Sequence, residues 1–146
     1  MKTNLFSLAA LAVLLFFILP GKATAANVTI HFTGMGPHLT QNLYTRVVDK
    51  GTGKETARIV QQVTSANFDV VLDAVTPGRS YSVDFFADFN FNGMYDVPPT
   101  DHAWRLELNN AVGGDELSFT HNTNFTDINW VYLLTVNFTG MTPPLG

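Results

Sequence analysis

One stretch of this 146-residue chain combines residue types at a spacing suited to metal chemistry. Asp88-Phe89-Asn90-Phe91-Asn92-Gly93-Met94-Tyr95-Asp96 fits the pattern D-x-N-x-N-G-x-x-D. Calcium is a hard cation that takes roughly six to eight oxygen ligands from a compact loop. When the backbone curls, the side chains of Asp88, Asn90 and Asn92 can converge on one point. Gly93 permits the sharp turn, Met94 offers its carbonyl, and Asp96 can bind directly or through water.

The pattern departs from an EF-hand loop at its twelfth position. Pro99 stands there in place of a bidentate glutamate, and Pro98-Pro99 bars an exiting helix of the usual kind. Asp101 can supply the missing carboxylate if the loop bends back. Two asparagines in place of aspartates lower the negative charge, so the expected affinity is that of extracellular modules, on the order of 0.1–1 mM. The competing reading is a hairpin loop whose Asn, Asp and Gly residues make Asx-turns. Phe91 and Tyr95 lie in the same loop and form a candidate stacking platform for carbohydrate. Trp104 and Trp130 fall on apolar strand faces and are expected in the core.

Imidazoles supply the second candidate chemistry. The four histidines are His31, His38, His102 and His121, and with Met35 and Met94 they suggest copper. Their spacing includes no H-x-H, no H-E-x-x-H and no pair at i, i+4. His31 and His121 are placed on solvent faces. His38 follows a Gly-Pro loop and His102 opens a strand. A metal site from His38 and His102, in a copper-handling protein or a metal-dependent enzyme, is therefore the alternative reading. Hydrolase chemistry has no G-x-S-x-G elbow to rest on, and no catalytic residue is assigned.

The elements that must position these residues are strands. Val28, Ile30 and Phe32 alternate with Thr29, His31 and Thr33; Phe68, Val70 and Leu72 with Asp69 and Asp73; Tyr81, Val83 and Phe85 with Ser82 and Asp84; and Trp104, Leu106 and Leu108 with Arg105 and Glu107. A last run places Ile128, Trp130, Tyr132, Leu134, Val136 and Phe138 on one face. This period of two marks strands with one buried face. Turn chemistry separates them: Lys50-Gly51-Thr52-Gly53-Lys54 joins Leu43–Asp49 to Glu55–Val63, Thr76-Pro77-Gly78 precedes Tyr81, and Gly113-Gly114-Asp115 precedes Leu117–Thr120. The spacing predicts an all-β fold, a single antiparallel β-sandwich of seven or eight strands.

Pro77-Gly78-Arg79-Ser80-Tyr81-Ser82-Val83 resembles the turn-plus-tyrosine element of fibronectin-III-like and transthyretin-like (carboxypeptidase-regulatory-like) sandwiches. The longer run through Asp96 also resembles a secreted bacterial family of unknown function, in which such a strand leads into an Asp-x-Asn-x-Asn-Gly loop. The resemblance implies an immunoglobulin- or transthyretin-like sandwich and carries no activity.

The N-terminus reads as a cleaved signal peptide over residues 1–25. Lys2 is followed by the uncharged apolar run Leu5 to Leu19, and Ala23-Thr24-Ala25 fits a small-x-small cleavage site. The run is shorter than the roughly 20 residues a membrane-spanning helix needs, and no later stretch is long enough. The mature domain then spans residues 26–146. Loss of Lys2 and Lys22 takes eight Lys and Arg to six against twelve Asp and Glu, a net charge of −6. Such a chain has no footprint for nucleic acid. It also has no cysteine, which removes disulfides and thiolate chemistry and leaves the core, bound ions or partners to hold an exported domain. Asn27, Asn124 and Asn137 open sequons that matter only in a glycosylating host.

His31-Phe32-Thr33-Gly34-Met35-Gly36-Pro37-His38-Leu39 recurs as Asn137-Phe138-Thr139-Gly140-Met141-Thr142-Pro143-Pro144-Leu145, with six of nine positions identical. Residues 137–145 read as the start of a second copy, as an equivalent edge of the same sandwich, or as a strand exchanged between subunits. The leading expectation is a secreted, periplasmic or cell-surface, calcium-stabilised binding or structural module. Its expected partners are copies of itself through terminal strands, or a surface glycan or protein.

Overall fold

Alternation and turns produce seven strands in the computed structural model, which describes residues 25–132. They are β1 (Ala26–Thr33), β2 (Asn42–Asp49), β3 (Glu55–Gln62), β4 (Phe68–Val75), β5 (Tyr81–Ala87), β6 (His102–Leu108) and β7 (Asp115–Thr120). Two sheets pack face to face, one in the order β4-β1-β7 and one in the order β3-β2-β5-β6. The fold is an all-β sandwich, as the period of two predicts. Among the described residues no helix is long and apolar enough to cross a membrane. The segment up to residue 24 and the repeat at 137–145 lie outside the described residues.

The expectation of a wholly antiparallel sandwich needs one correction. β7 runs parallel to β1, from Val28 opposite Asp115 to Thr33 opposite Thr120. A parallel neighbour needs a long crossover rather than a hairpin, and here β7 follows β6, which belongs to the other sheet. The parallel pair brings the C-terminal ends of β1 and β7 to the same end of the sandwich. β5 ends there too, because Ala87 pairs with His102 at the start of β6.

The inward faces meet in an aromatic core. Phe32 of β1 packs on Phe68 of β4, Phe119 of β7 and, across the sandwich, Phe85 of β5, with ring centroids 5.1, 5.9 and 5.0 Å away. Full burial of a ring of this size stabilises the fold by roughly 1.5–3 kcal/mol. Trp104 extends this core toward the chain-crossing end, against Phe85 and Phe119. At the opposite turn Tyr81 is buried, and its hydroxyl accepts the Thr76 N–H at 2.8 Å, closing the Pro77-Gly78 turn across five residues.

The outer face of the four-stranded sheet is not left to solvent. Residues after β7 return across it and bury Ile128 and Trp130 against Phe86 and Ala103, with Tyr44 and Tyr95 at the margin. Ile128 and Trp130 belong to the run expected to form a last strand, but residues 121–132 form none. Trp130 is buried as expected, on a second, smaller core outside the sandwich interior.

Candidate metal centre

Three strand ends place three histidines together. After β1, Gly34 turns the chain at φ +72°, a left-handed value that favours glycine. The chain then crosses between sheets in a single 3-10 turn, Gly36–His38, whose last residue is His38. The crossing is tied at both sides: Met35 N–H donates to Ala66 O, and Thr40 N–H donates to Val63 O, each at 2.8 Å. His102 is the first residue of β6 and shares the inward parity of Trp104. His121 follows β7 directly, and its N–H donates to Thr33 O at 2.9 Å, prolonging the β1–β7 ladder by one bond.

The rings of His38 and His102 have centroids 5.1 Å apart, and those of His38 and His121 5.0 Å apart. One ring nitrogen from each of the three lies within 4.8 Å of the others. Among the described residues this is the only group of three or more His, Cys, Asp or Glu side chains close enough to share an ion. His38 Nε2, His102 Nδ1 and His121 Nε2 are all buried and have no hydrogen-bond partner in the protein. Buried polar atoms are nearly always paired, because leaving one unpaired costs roughly 1–3 kcal/mol. Three such atoms in one cluster are what a metal ion would satisfy.

The surroundings hold the rings in place. His38 Nδ1 lies 2.8 Å from Gln41 Oε1. A carbonyl oxygen can only accept, so Nδ1 carries the proton and Nε2 keeps its lone pair for the cluster. Metal-binding histidines usually have their second nitrogen fixed by such an acceptor. His102 is clamped between Phe125 and Phe89, with centroids at 4.2 and 4.7 Å and near-parallel planes. The Trp104 indole contacts all three imidazoles, at 5.6 Å from His38, 5.8 Å from His121 and 6.3 Å from His102.

Electrostatics favour neutral rings at His38 and His102. Burial pushes the His38 pKa below its ordinary 6.5; the Gln41 bond opposes this in part, and His102 and His121 lower it further. His102 is lowered by burial and then by His121. Folded His38 and His102 thus bind fewer protons than the unfolded chain. Their contribution to stability is fully present above about pH 6.5 and is lost as pH falls through the lowered folded values. In chelator-treated protein, the melting temperature is expected to fall between pH 7 and 5. His38→Gln should flatten that slope, and an equal slope in wild type and variant would contradict the assignment.

The structure joins His38 and His102, the pair singled out from sequence, and corrects the placement of His121. Its ring turns inward because it continues the parity of Leu117 and Phe119, a signal present in the sequence. His31 stays at the surface, donating to Asp69 at 2.7 Å.

The Asp88–Asp96 loop curls as its glycine allows, with Gly93 at φ +74°. Buried Asp88 accepts the Asn92 and Gly93 N–H groups at 3.1 and 2.9 Å. Asp101 bends back over the loop and accepts from Phe89 N at 3.0 Å and from Asp96 N at 2.9 Å. Burial raises the pKa of Asp101 above its usual 3.8, the two backbone bonds pull against this, and the Asp88 and Asp96 charges raise it further. The asparagines are engaged within the loop. Asn90 Oδ1 accepts Asn92 N–H, Asn92 Oδ1 accepts Met94 N–H, and both amide nitrogens donate to Asp96 Oδ2 at 2.8 and 2.7 Å.

The two loop rings have different surroundings. Phe91 is exposed. Tyr95 packs on Phe86, donates to Asp127 at 2.9 Å and accepts Ile128 N–H, and burial pushes its pKa up to about 12. Comparison of the chain with models of known protein families, with curated proteins and with solved structures finds no match in any of the three.

Proposed function

We propose that this chain is an exported metal-binding module whose centre is His38, His102 and His121, holding one transition-metal ion. The observation that carries this reading is that three histidines each offer one ring nitrogen within 4.8 Å of the others, and each has a buried ring nitrogen to which no protein group bonds. Imidazole suits copper and zinc among the biologically common metals. A three-histidine set is also the protein share of known zinc sites that keep a fourth position for another ligand. The signal-like N-terminus supports action outside the cytoplasm, and the Tyr81 turn supports a fibronectin-III- or transthyretin-like frame.

The test is titration of residues 26–146 with copper and zinc salts, followed by tryptophan fluorescence and calorimetry. The chain has two tryptophans, so Trp130→Phe leaves Trp104, beside the cluster, as sole reporter. The substitution also removes an indole N–H that has no partner. One ion per chain is expected, and binding of neither metal would overturn the reading.

A second reading is that the Asp88–Asp101 loop holds calcium as a staple for this disulfide-free domain. The curl of the loop around Asp88 and the return of Asp101 onto the Phe89 and Asp96 N–H groups support it, since calcium takes its oxygen ligands from a compact loop. Binding would require Asn90 and Asn92 to exchange their bonds to Asp96 for the ion, which agrees with weak, roughly millimolar affinity. The expected result is a melting temperature that rises with millimolar calcium in wild type and not in Asp88→Ala. No shift in wild type would remove the staple and leave the histidine centre standing.

A further inference from the structure

Resting on the trihistidine reading, we propose that the centre is built for monovalent copper rather than for a divalent ion. The first reason is charge. The cluster consists of three imidazoles, and no Asp or Glu among the described residues joins it. Its convergent nitrogens are buried, so the positive charge of a bound ion meets no neutralising carboxylate. The cost of moving an ion from water into such surroundings scales with the square of its charge. A divalent ion therefore pays about four times what a monovalent ion pays.

The second reason is coordination number. Zinc is almost always four-coordinate and completes three protein ligands with water or substrate. Cu(II) prefers a tetragonal set of nitrogen and oxygen donors. Around these three nitrogens stand aromatic walls, and among the described residues no carboxylate, thiolate or fourth imidazole joins them. Phe89 and Phe125 cover the two faces of His102, Trp104 touches all three rings, and Phe119 backs Trp104 at 5.2 Å. Cu(I) shares the filled d shell of Zn(II), but with a single charge it is satisfied by two or three donors, and three neutral nitrogens suffice for it. The electron-rich indole face adds attraction for a cation, and tryptophan is the strongest of the aromatic side chains in this respect.

The third reason is rigidity. Gln41 fixes the His38 ring, and the two phenylalanines fix the His102 ring. A site that cannot flatten or recruit a ligand penalises Cu(II), which must rearrange on oxidation, more than Cu(I). The chemical class of ligand is thus a monovalent cation satisfied by three nitrogen donors, carried as Cu(I) outside the cytoplasm.

The experiment compares affinities in residues 26–146. Cu(I) is measured anaerobically against a chromophoric Cu(I) chelator, and Cu(II) and Zn(II) are each measured against their own competitors. Cu(I) is expected to bind one per chain, at least about 100-fold tighter than either divalent ion. His121→Ala should lose that binding while keeping the near-ultraviolet circular dichroism of the folded domain. His121→Gln serves in its place if the alanine variant does not fold. Zn(II) or Cu(II) binding as tightly as Cu(I), with the same dependence on His121, would overturn the preference for Cu(I) and leave the trihistidine centre intact. Absence of binding by all three ions would overturn both.

Discussion

Replacing His121 by leucine is expected to weaken metal binding by at least about 100-fold while leaving the metal-free domain as stable as wild type, or more stable by up to about 1 kcal/mol. The two effects have opposite signs for one physical reason. In the metal-free fold His121 Nε2 is buried without a partner, as are His38 Nε2 and His102 Nδ1. No protein group bonds to any of these atoms, so an apolar side chain of similar size in place of one of them relieves a cost. With metal present the same nitrogen supplies one of three ligand bonds, and its loss removes a third of the site. Removing even an outer partner of a metal-binding histidine typically costs about 10–100-fold in affinity, so Gln41→Leu should fall in that range and His121→Leu beyond it.

The measurements are calorimetric titration with copper and urea unfolding in the presence of a chelator. A histidine conserving only packing would give the reverse pattern: unchanged metal binding and a destabilised fold. Bound metal should also stabilise wild type by mass action, by about 2.7 kcal/mol when free metal is 100 times the dissociation constant, and this increment should vanish in His121→Leu.

The second large effect is expected at Asp84, on the outer face of the four-stranded sheet. Its carboxylate is almost fully buried and is held by two guanidinium groups. Arg46 donates from Nε at 3.1 Å and from Nη2 at 2.8 Å; Arg105 donates from Nε at 2.6 Å and from Nη2 at 3.1 Å. Arg46 Nη2 also donates to Ile128 O at 2.9 Å, which fastens the returning chain over the sheet. Trp130 lies between Arg46 and Arg58, whose guanidinium carbons sit 4.7 and 4.5 Å from its ring centroid.

Asp84→Ala would leave two cations facing each other, one of them buried. Breaking a buried pair from one side costs about 3–5 kcal/mol, a large part of the roughly 5–15 kcal/mol by which a domain of this size is stable. We expect a steep loss of stability in urea and early exposure of the Trp130 segment, seen as increased proteolysis after β7. Asp84→Ala combined with Arg46→Met and Arg105→Leu should recover part of the loss, because the unpaired cations go with the anion. A single-variant loss below about 1 kcal/mol would show that the network is not buried in solution.

The carboxylate is also a case where sequence gives half the answer. Alternation with Tyr81, Val83 and Phe85 puts Asp84 on the outer face, and it is there. That the outer face is itself covered depends on where residues after β7 travel, and no local pattern contains that. The run Ile128–Trp130 shows the same division. Its alternation marks a face to be buried, yet the partner proves to be Phe86 and Ala103, and the segment lies on the sheet without joining it.

The metal residues divide along similar lines. The curl of the Asp88–Asp96 loop and the return of Asp101 were legible because they depend on neighbours in sequence: a glycine at the turn, short polar side chains that bond to nearby N–H groups, and prolines that prevent a helix. His38 and His102 could be paired from sequence only as residues of two loops at one sandwich end. His121 lies inward rather than on a solvent face because the β1–β7 pairing carries the parity of Leu117 and Phe119 one residue further, through its N–H bond to Thr33 O.

By itself, then, this sequence determined which faces of its strands are buried, where they turn, and the cysteine-free composition with which the domain must hold together. Those are properties of residues a few positions apart, where a period of two and the demands of turns act directly. Only the tertiary structure decided that β7 lies parallel to β1, that the outer sheet face is covered, and that three histidines distant in sequence share one point. These depend on the order in which strands assemble into sheets, which is set by the summed packing of Phe32, Phe85, Trp104 and Phe119 across the core, and no short stretch of residues encodes it.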